Sequence, residues 1–80
     1  MNKDHLIEMA NQIGEFFAAM PDRELALKGI ANHIRLFWDP RMRRVILAAL
    51  DEPAACASML PIVKEAIERA RSGLTPAEAI

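Results

Sequence analysis

The sequence predicts an all-α fold, a small bundle of three main helices plus a shorter or peripheral helix. Ala, Leu, Ile, Met, Glu and Arg dominate the chain, with three Gly and no Tyr, a composition of helix formers. Apolar residues recur at three- and four-residue spacing in four separate stretches. Pro21, Pro40 and Pro61 stand at the joints, where they stop one helix or open the next.

The first helix is expected from about Asp4 to Met20, with Asn2 or Asp4 as cap and Pro21 at the end. Leu6, Met9, Ala10, Ile13, Phe16, Phe17 and Met20 share one stripe at about 100° per residue, while Glu8, Asn11, Gln12 and Glu15 lie opposite. Ile7, Gly14 and Ala18 form a second strip whose small residues admit a close backbone. The simplest occupant is another helix of the same domain.

The second helix begins at Asp22, an N-cap, with Glu24 in the positive first turn. Leu27, Ile30, Ala31, Ile34, Phe37 and Trp38 share one face, and Leu25, Gly29 and Leu36 gather nearly opposite. A helix apolar on two faces is central in its domain or sandwiched by a partner. Leu25, Gly29 and Leu36 are therefore interface candidates.

Asp39-Pro40 ends that helix and caps a third, running from Pro40 to about Leu50. Met42, Val45, Ile46, Ala49 and Leu50 form its inner stripe. Arg44 points away, with Arg41 and Arg43 to either side and Leu47 exposed beside Arg43. Residues 51–60 read as a connector with room for a helical turn. A fourth helix is expected from Pro61 to about Ser72, with Ile62, Val63, Ala66, Ile67 and Ala70 inward, a Lys64–Glu68 pair outside and Gly73 as C-cap. The domain is expected over residues 1–74, with 75–80 as a tail able to begin another short helix.

A chain of 80 residues has a thin stability margin and leans on efficient packing or on a partner. The lone Cys56 has no internal disulfide partner, and no Cys/His cluster has metal-ligand spacing. The net charge of −1 excludes a generally basic nucleic-acid binder. No apolar run reaches the roughly 18–20 residues of a membrane span. The N-terminus lacks the apolar segment of a secretory signal, and one thiol fits a reducing cytoplasm.

Catalytic candidates are few. His5 and His33 sit on or beside polar helix faces, and Cys56 has no base or positive field near it in sequence. Asp51/Glu52 and Glu65/Glu68 read as solubilising charge. The expectation is a non-enzyme with no cofactor and no metal.

The densest constellation is Phe37-Trp38-Asp39-Pro40-Arg41-Met42-Arg43-Arg44. Trp and Arg are the side chains most enriched in interface hot spots. Residues 22–44 carry six basic and three acidic side chains, a net +3 inside a chain of net −1. That asymmetry fits an acidic partner surface. Trp38, Arg41, Arg43, Arg44 and Leu47 join the interface candidates. Two alternatives use the same features: a small nucleic-acid-binding regulator built on Arg41–Arg44, and a self-associating helical protein that forms a homodimer in isolation.

Met9-Ala-Asn-Gln-Ile-Gly-Glu-Phe-Phe17, Pro21-Asp-Arg23, Gly29-Ile-Ala-Asn-His-Ile-Arg35 and Phe37-Trp-Asp-Pro-Arg-Met-Arg43 occur in this order. Together they resemble the delta subunit of NAD-dependent, molybdenum-containing formate dehydrogenases. The resemblance implies an accessory protein without a cofactor of its own, serving assembly, stability or cofactor maturation. Its implied partner is the catalytic subunit that holds the molybdenum centre, with Arg41, Arg43 and Arg44 facing acidic groups there. After about Leu50 the chain departs from the family pattern, with Asp51-Glu52-Pro53 where a Gly-rich turn is expected.

Overall fold

A computed structural model describes residues 2–76. The described residues form six helices in order: α1 Lys3–Ala18, α2 Arg23–Phe37, α3 Pro40–Ala49, α4 Pro53–Ala57, α5 Pro61–Arg69 and α6 Arg71–Leu74. There is no strand among the described residues.

Local chemistry sets the starts. Asn2 Oδ1 accepts from the His5 N–H, Asp22 Oδ1 from Glu24 and Leu25, and Asp39 Oδ1 from Met42. Each satisfies donors that the first helical turn leaves free. Proline opens α3, α4 and α5, where its missing N–H costs nothing.

The bundle is built on α1, α2 and α5, which pack on one another, and α3 closes one end against α1. Ile30, Ile34, Ile46, Val63 and Ile67 are fully enclosed, and Leu6, Leu27, Trp38, Leu50 and Leu74 complete the core. Gly14 of α1 lies directly against the Val63 methyl of α5. The small-residue strip thus receives a helix of the same bundle, although Ala18 at its end is exposed.

Several expectations need correction. The buried arc of α1 is centred on Leu6, Ile7, Ala10 and Gly14, rotated from the anticipated stripe. Its neighbours α3 and α5 pull it that way, leaving Met9, Ile13 and Phe17 half-covered and Phe16 and Met20 exposed. Asn11, expected in solvent, is half-buried: its Nδ2 donates to Ser58 O at 3.0 Å and its Oδ1 accepts from Leu60 N at 2.9 Å.

Leu47, expected at the surface, is only 8% exposed. Helix α3 packs on α1, α4 and α6, so its buried arc is wider than one stripe. Helix α5 stops at Arg69 rather than Ser72. A break at Ala70 (φ −97°, ψ 9°) lets α6 turn Leu74 into the core. Gly73 lies inside α6 with a right-handed backbone and is not a left-handed cap. The i,i+4 pair on α5 joins Glu65 to Arg69 at 2.7 Å instead of Lys64 to Glu68. Of the tail, Thr75 closes α6 by donating to Arg71 O; the expectation for 77–80 lies outside the described residues.

Candidate protein interface

The short link from Ala19 to Asp22 makes α1 and α2 antiparallel neighbours. Phe17 of α1 meets α2 at Gly29, where its Cδ1 comes within 2.6 Å of the position a Cβ would take. A side chain at position 29 would displace the ring, which here seats on bare backbone. Phe16 then stands edge-on to Phe17, ring centres 5.1 Å apart at 89°. Further along α2, the His33 and Phe37 rings pack at a tilt of 42°, centres 4.8 Å apart.

Between these rings runs a groove of about 430 Å³, lined by Met9, Gln12, Ile13, Phe16, Phe17, His33 and Trp38. Phe16, which lines it, is 74% exposed, and three large apolar side chains of α2 are also open: Phe37 at 72%, Leu36 at 58% and Leu25 at 53%. With Met20 at 37%, five large apolar side chains are exposed among the described residues, apolar area that water covers poorly.

The structure separates the sequence-derived interface candidates. Leu25 and Leu36 stay on the outer face of α2, and Arg41 and Arg44 on the outer face of α3. Gly29 is half-buried beneath Phe17. Trp38 turns inward, 5% exposed, because its extended backbone at the C-cap of α2 swings the indole under the corner. Arg43 is half-buried, its Nη1 aimed at Leu74 O from 3.5 Å and its Nε enclosed without a partner. Phe16, Phe37 and His33 complete the surface, although periodicity assigns the two phenylalanines to inner stripes. The available signal was the pair Phe16-Phe17, since adjacent helical residues cannot both face one neighbour.

Charge elsewhere is tied into the fold. Arg23 and Glu24, adjacent in α2, close a four-membered network with Glu65 and Arg69 of α5 through contacts of 2.7–2.9 Å. The Arg23 bond holds the Glu65 carboxyl below its ordinary value, and Glu24 raises the Arg69 guanidinium. Lys3 reaches Glu52 at 2.6 Å, which raises the lysine, and Arg71 reaches Asp51 at 3.4 Å. Arg23 is therefore spent internally. Lys28, Arg35, Arg41 and Arg44 remain as the outward cations of residues 22–44, with Arg35 also donating to Asn32.

His5 is exposed, and Cys56 is half-buried with a free thiol. Among the described residues no group of three or more His, Cys, Asp or Glu could hold a metal ion. The described residues form an open apolar groove, with outward cations elsewhere on α2 and α3.

A family model described as the NADH-dependent formate dehydrogenase delta subunit FdsD matches residues 5–67. The chain belongs to this delta subunit family. The matched range of the delta-family chain covers the groove and the α2–α3 corner, and runs on through residues 51–60 into α5. Helix α6 lies beyond it. Comparison with curated proteins and with solved structures gives no match. Among the described residues no helix is long and apolar enough to cross a membrane.

Proposed function

We propose that the chain is a non-catalytic accessory subunit of a cytoplasmic NAD-dependent formate dehydrogenase, acting by binding the molybdenum-containing catalytic subunit. The observation that carries this reading is the open aromatic groove of α1 and α2 in a chain of the delta subunit family. Phe16, Phe37, Leu25 and Leu36 supply the buried area, and Arg41 and Arg44 meet acidic groups on the partner. Trp38 and Leu47 act from beneath, holding the corner that presents those arginines. Arg43 serves chiefly to tie α3 to the end of α6. In isolation the same apolar face is free to bury itself against a second copy of the chain.

The test is capture of the co-expressed catalytic subunit by tagged chain, with formate oxidation assayed in parallel. The paired changes Phe16→Ser/Phe37→Ser and Arg41→Glu/Arg44→Glu should each weaken capture while the circular dichroism spectrum keeps its helical form. Capture and activity indifferent to both pairs would remove the assignment.

A further inference from the structure

The α1–α2 face carries charge of opposite sign along its two flanks. Glu8 and Glu15, seven residues apart on α1, fall on one line within about 20°. They border a groove that shares Gln12 with the aromatic groove, so the acidic line flanks it on the α1 side. Lys28 and Arg35, also seven residues apart, form the matching line on α2. The groove that they border includes Gly29, on which Phe17 rests, so the basic line flanks the aromatic floor on the other side. The face thus runs from acid through apolar to base.

The spacing of the two lines agrees as well. Phe17 opposite Gly29 sets the register of the antiparallel pair, and Ile13 with His33 in one groove continues it. In that register Glu8 and Arg35 differ in height by three residues, about 4.5 Å. Glu15 and Lys28 differ by the same amount in the same sense. A two-fold axis lying in the face and parallel to the helices would bring the acidic line of one copy over the basic line of the other. Both pairs then fall within side-chain reach. An axis across the helices would instead oppose like charges.

We propose that the free chain forms an isologous homodimer through this face, with Glu8 and Glu15 of each copy pairing with Arg35 and Lys28 of the other around the aromatic groove. An isologous contact requires a self-complementary patch, and this one is complementary in both sign and spacing. A standard interface removes about 800 Å² per partner, roughly a sixth of the chain's 5083 Å² surface. The dimer would cover the rings that the free chain otherwise leaves in water.

Sedimentation velocity over a wide concentration range at low salt tests the pairing. Wild type should self-associate. Glu8→Lys/Glu15→Lys and Lys28→Glu/Arg35→Glu should each associate at least about tenfold more weakly, because both flanks then oppose like charge. Mixed in equal amounts, the two variants should recover a dimer, since every contact between them is again of opposite sign. That recovery also shows that both variants are folded. A wild type that stays monomeric overturns the proposal, as does a mixture that recovers nothing or variants that dimerise undiminished. No formate dehydrogenase subunit takes part, so the result stands apart from that of the capture experiment.

Discussion

Gly14 of α1 and Val63 of α5 touch backbone to methyl, with no room for a side chain between them. That contact sets the separation of two bundle helices and rotates α1 so that its aromatic edge faces outward. Val63 is fully buried and cannot swing aside. Gly14→Ala should therefore cost about 1–3 kcal/mol of overpacking, offset by at most about 1 kcal/mol of helix propensity.

The other glycines provide the contrast. Nothing lies within 4 Å of a Cβ built on Gly73, whose backbone is right-handed, so Gly73→Ala should stabilise the chain by about 0.4–1 kcal/mol. Gly29→Ala should fall between the two, because half-exposed Phe17 can rotate away. Thermal unfolding of the three variants checks the order, and a Gly14→Ala protein as stable as Gly73→Ala would contradict this packing.

Asn11 bridges the chain on both sides of Met59, donating to Ser58 O and accepting from Leu60 N. Asn11→Ala strands the half-buried Leu60 N–H and should destabilise by about 1–3 kcal/mol. The neighbouring Gln12→Ala, at an exposed position, should change stability by less than about 0.5 kcal/mol. Urea unfolding of the pair measures the difference.

The acidic limb of stability should carry a contribution from Glu65. Its carboxyl is held low chiefly by the Arg23 bond; desolvation opposes this, and the charges of Arg69 and Arg23 add to the lowering. The unfolded chain binds that proton more readily, so the contribution is complete above the ordinary glutamate value of 4.5 and is lost as pH falls through the lower folded value. Glu65→Gln should lie below wild type at neutral pH and converge with it in acid. The network is solvent-exposed, so added salt should narrow the gap. Parallel curves from neutral pH into acid would show that Glu65 contributes nothing.

Arg43 and Arg44, adjacent in sequence, should separate by phenotype. Arg43→Met removes an enclosed Nε that has no partner together with a long bond to Leu74 O, and should leave stability within about 1 kcal/mol of wild type. Arg43→Glu sets a carboxylate against that carbonyl and should destabilise by about 1–3 kcal/mol. Arg44→Glu should leave unfolding unchanged and weaken only capture of the partner. Equal destabilisation by Arg43→Glu and Arg44→Glu would remove the distinction.

Much of the open surface was legible in the sequence, but its aromatic part was not. Leu25 and Leu36 lie opposite a strong inner stripe, and Arg41 and Arg44 follow a proline-capped start, so their outward placement follows from helical spacing alone. Periodicity gives the direction of a stripe but not the arc that neighbours cover. Phe16 and Phe37 fell at the margins of their stripes, and Leu47 at the margin of its own. Packing then left the first two outside and took the third in. Trp38 sits beyond the last helical residue of α2, where helical spacing no longer says which way a side chain points.

The sequence by itself determined the helices and their joints, because capping and proline chemistry act within three or four residues. Asn2, Asp22 and Asp39 each accept from N–H groups in the turn they open, whatever the rest of the chain does. It also determined that residues 22–44 carry a net positive charge. Only the tertiary structure decided which apolar residues remained open. Gly14 had to meet Val63, Gly29 had to receive Phe17, and Arg23 had to be drawn to Glu65 before the open face and its free charges were defined. Those contacts join residues far apart in the chain, and the covered arc of a helix is set by the neighbours that arrive, not by the helix itself.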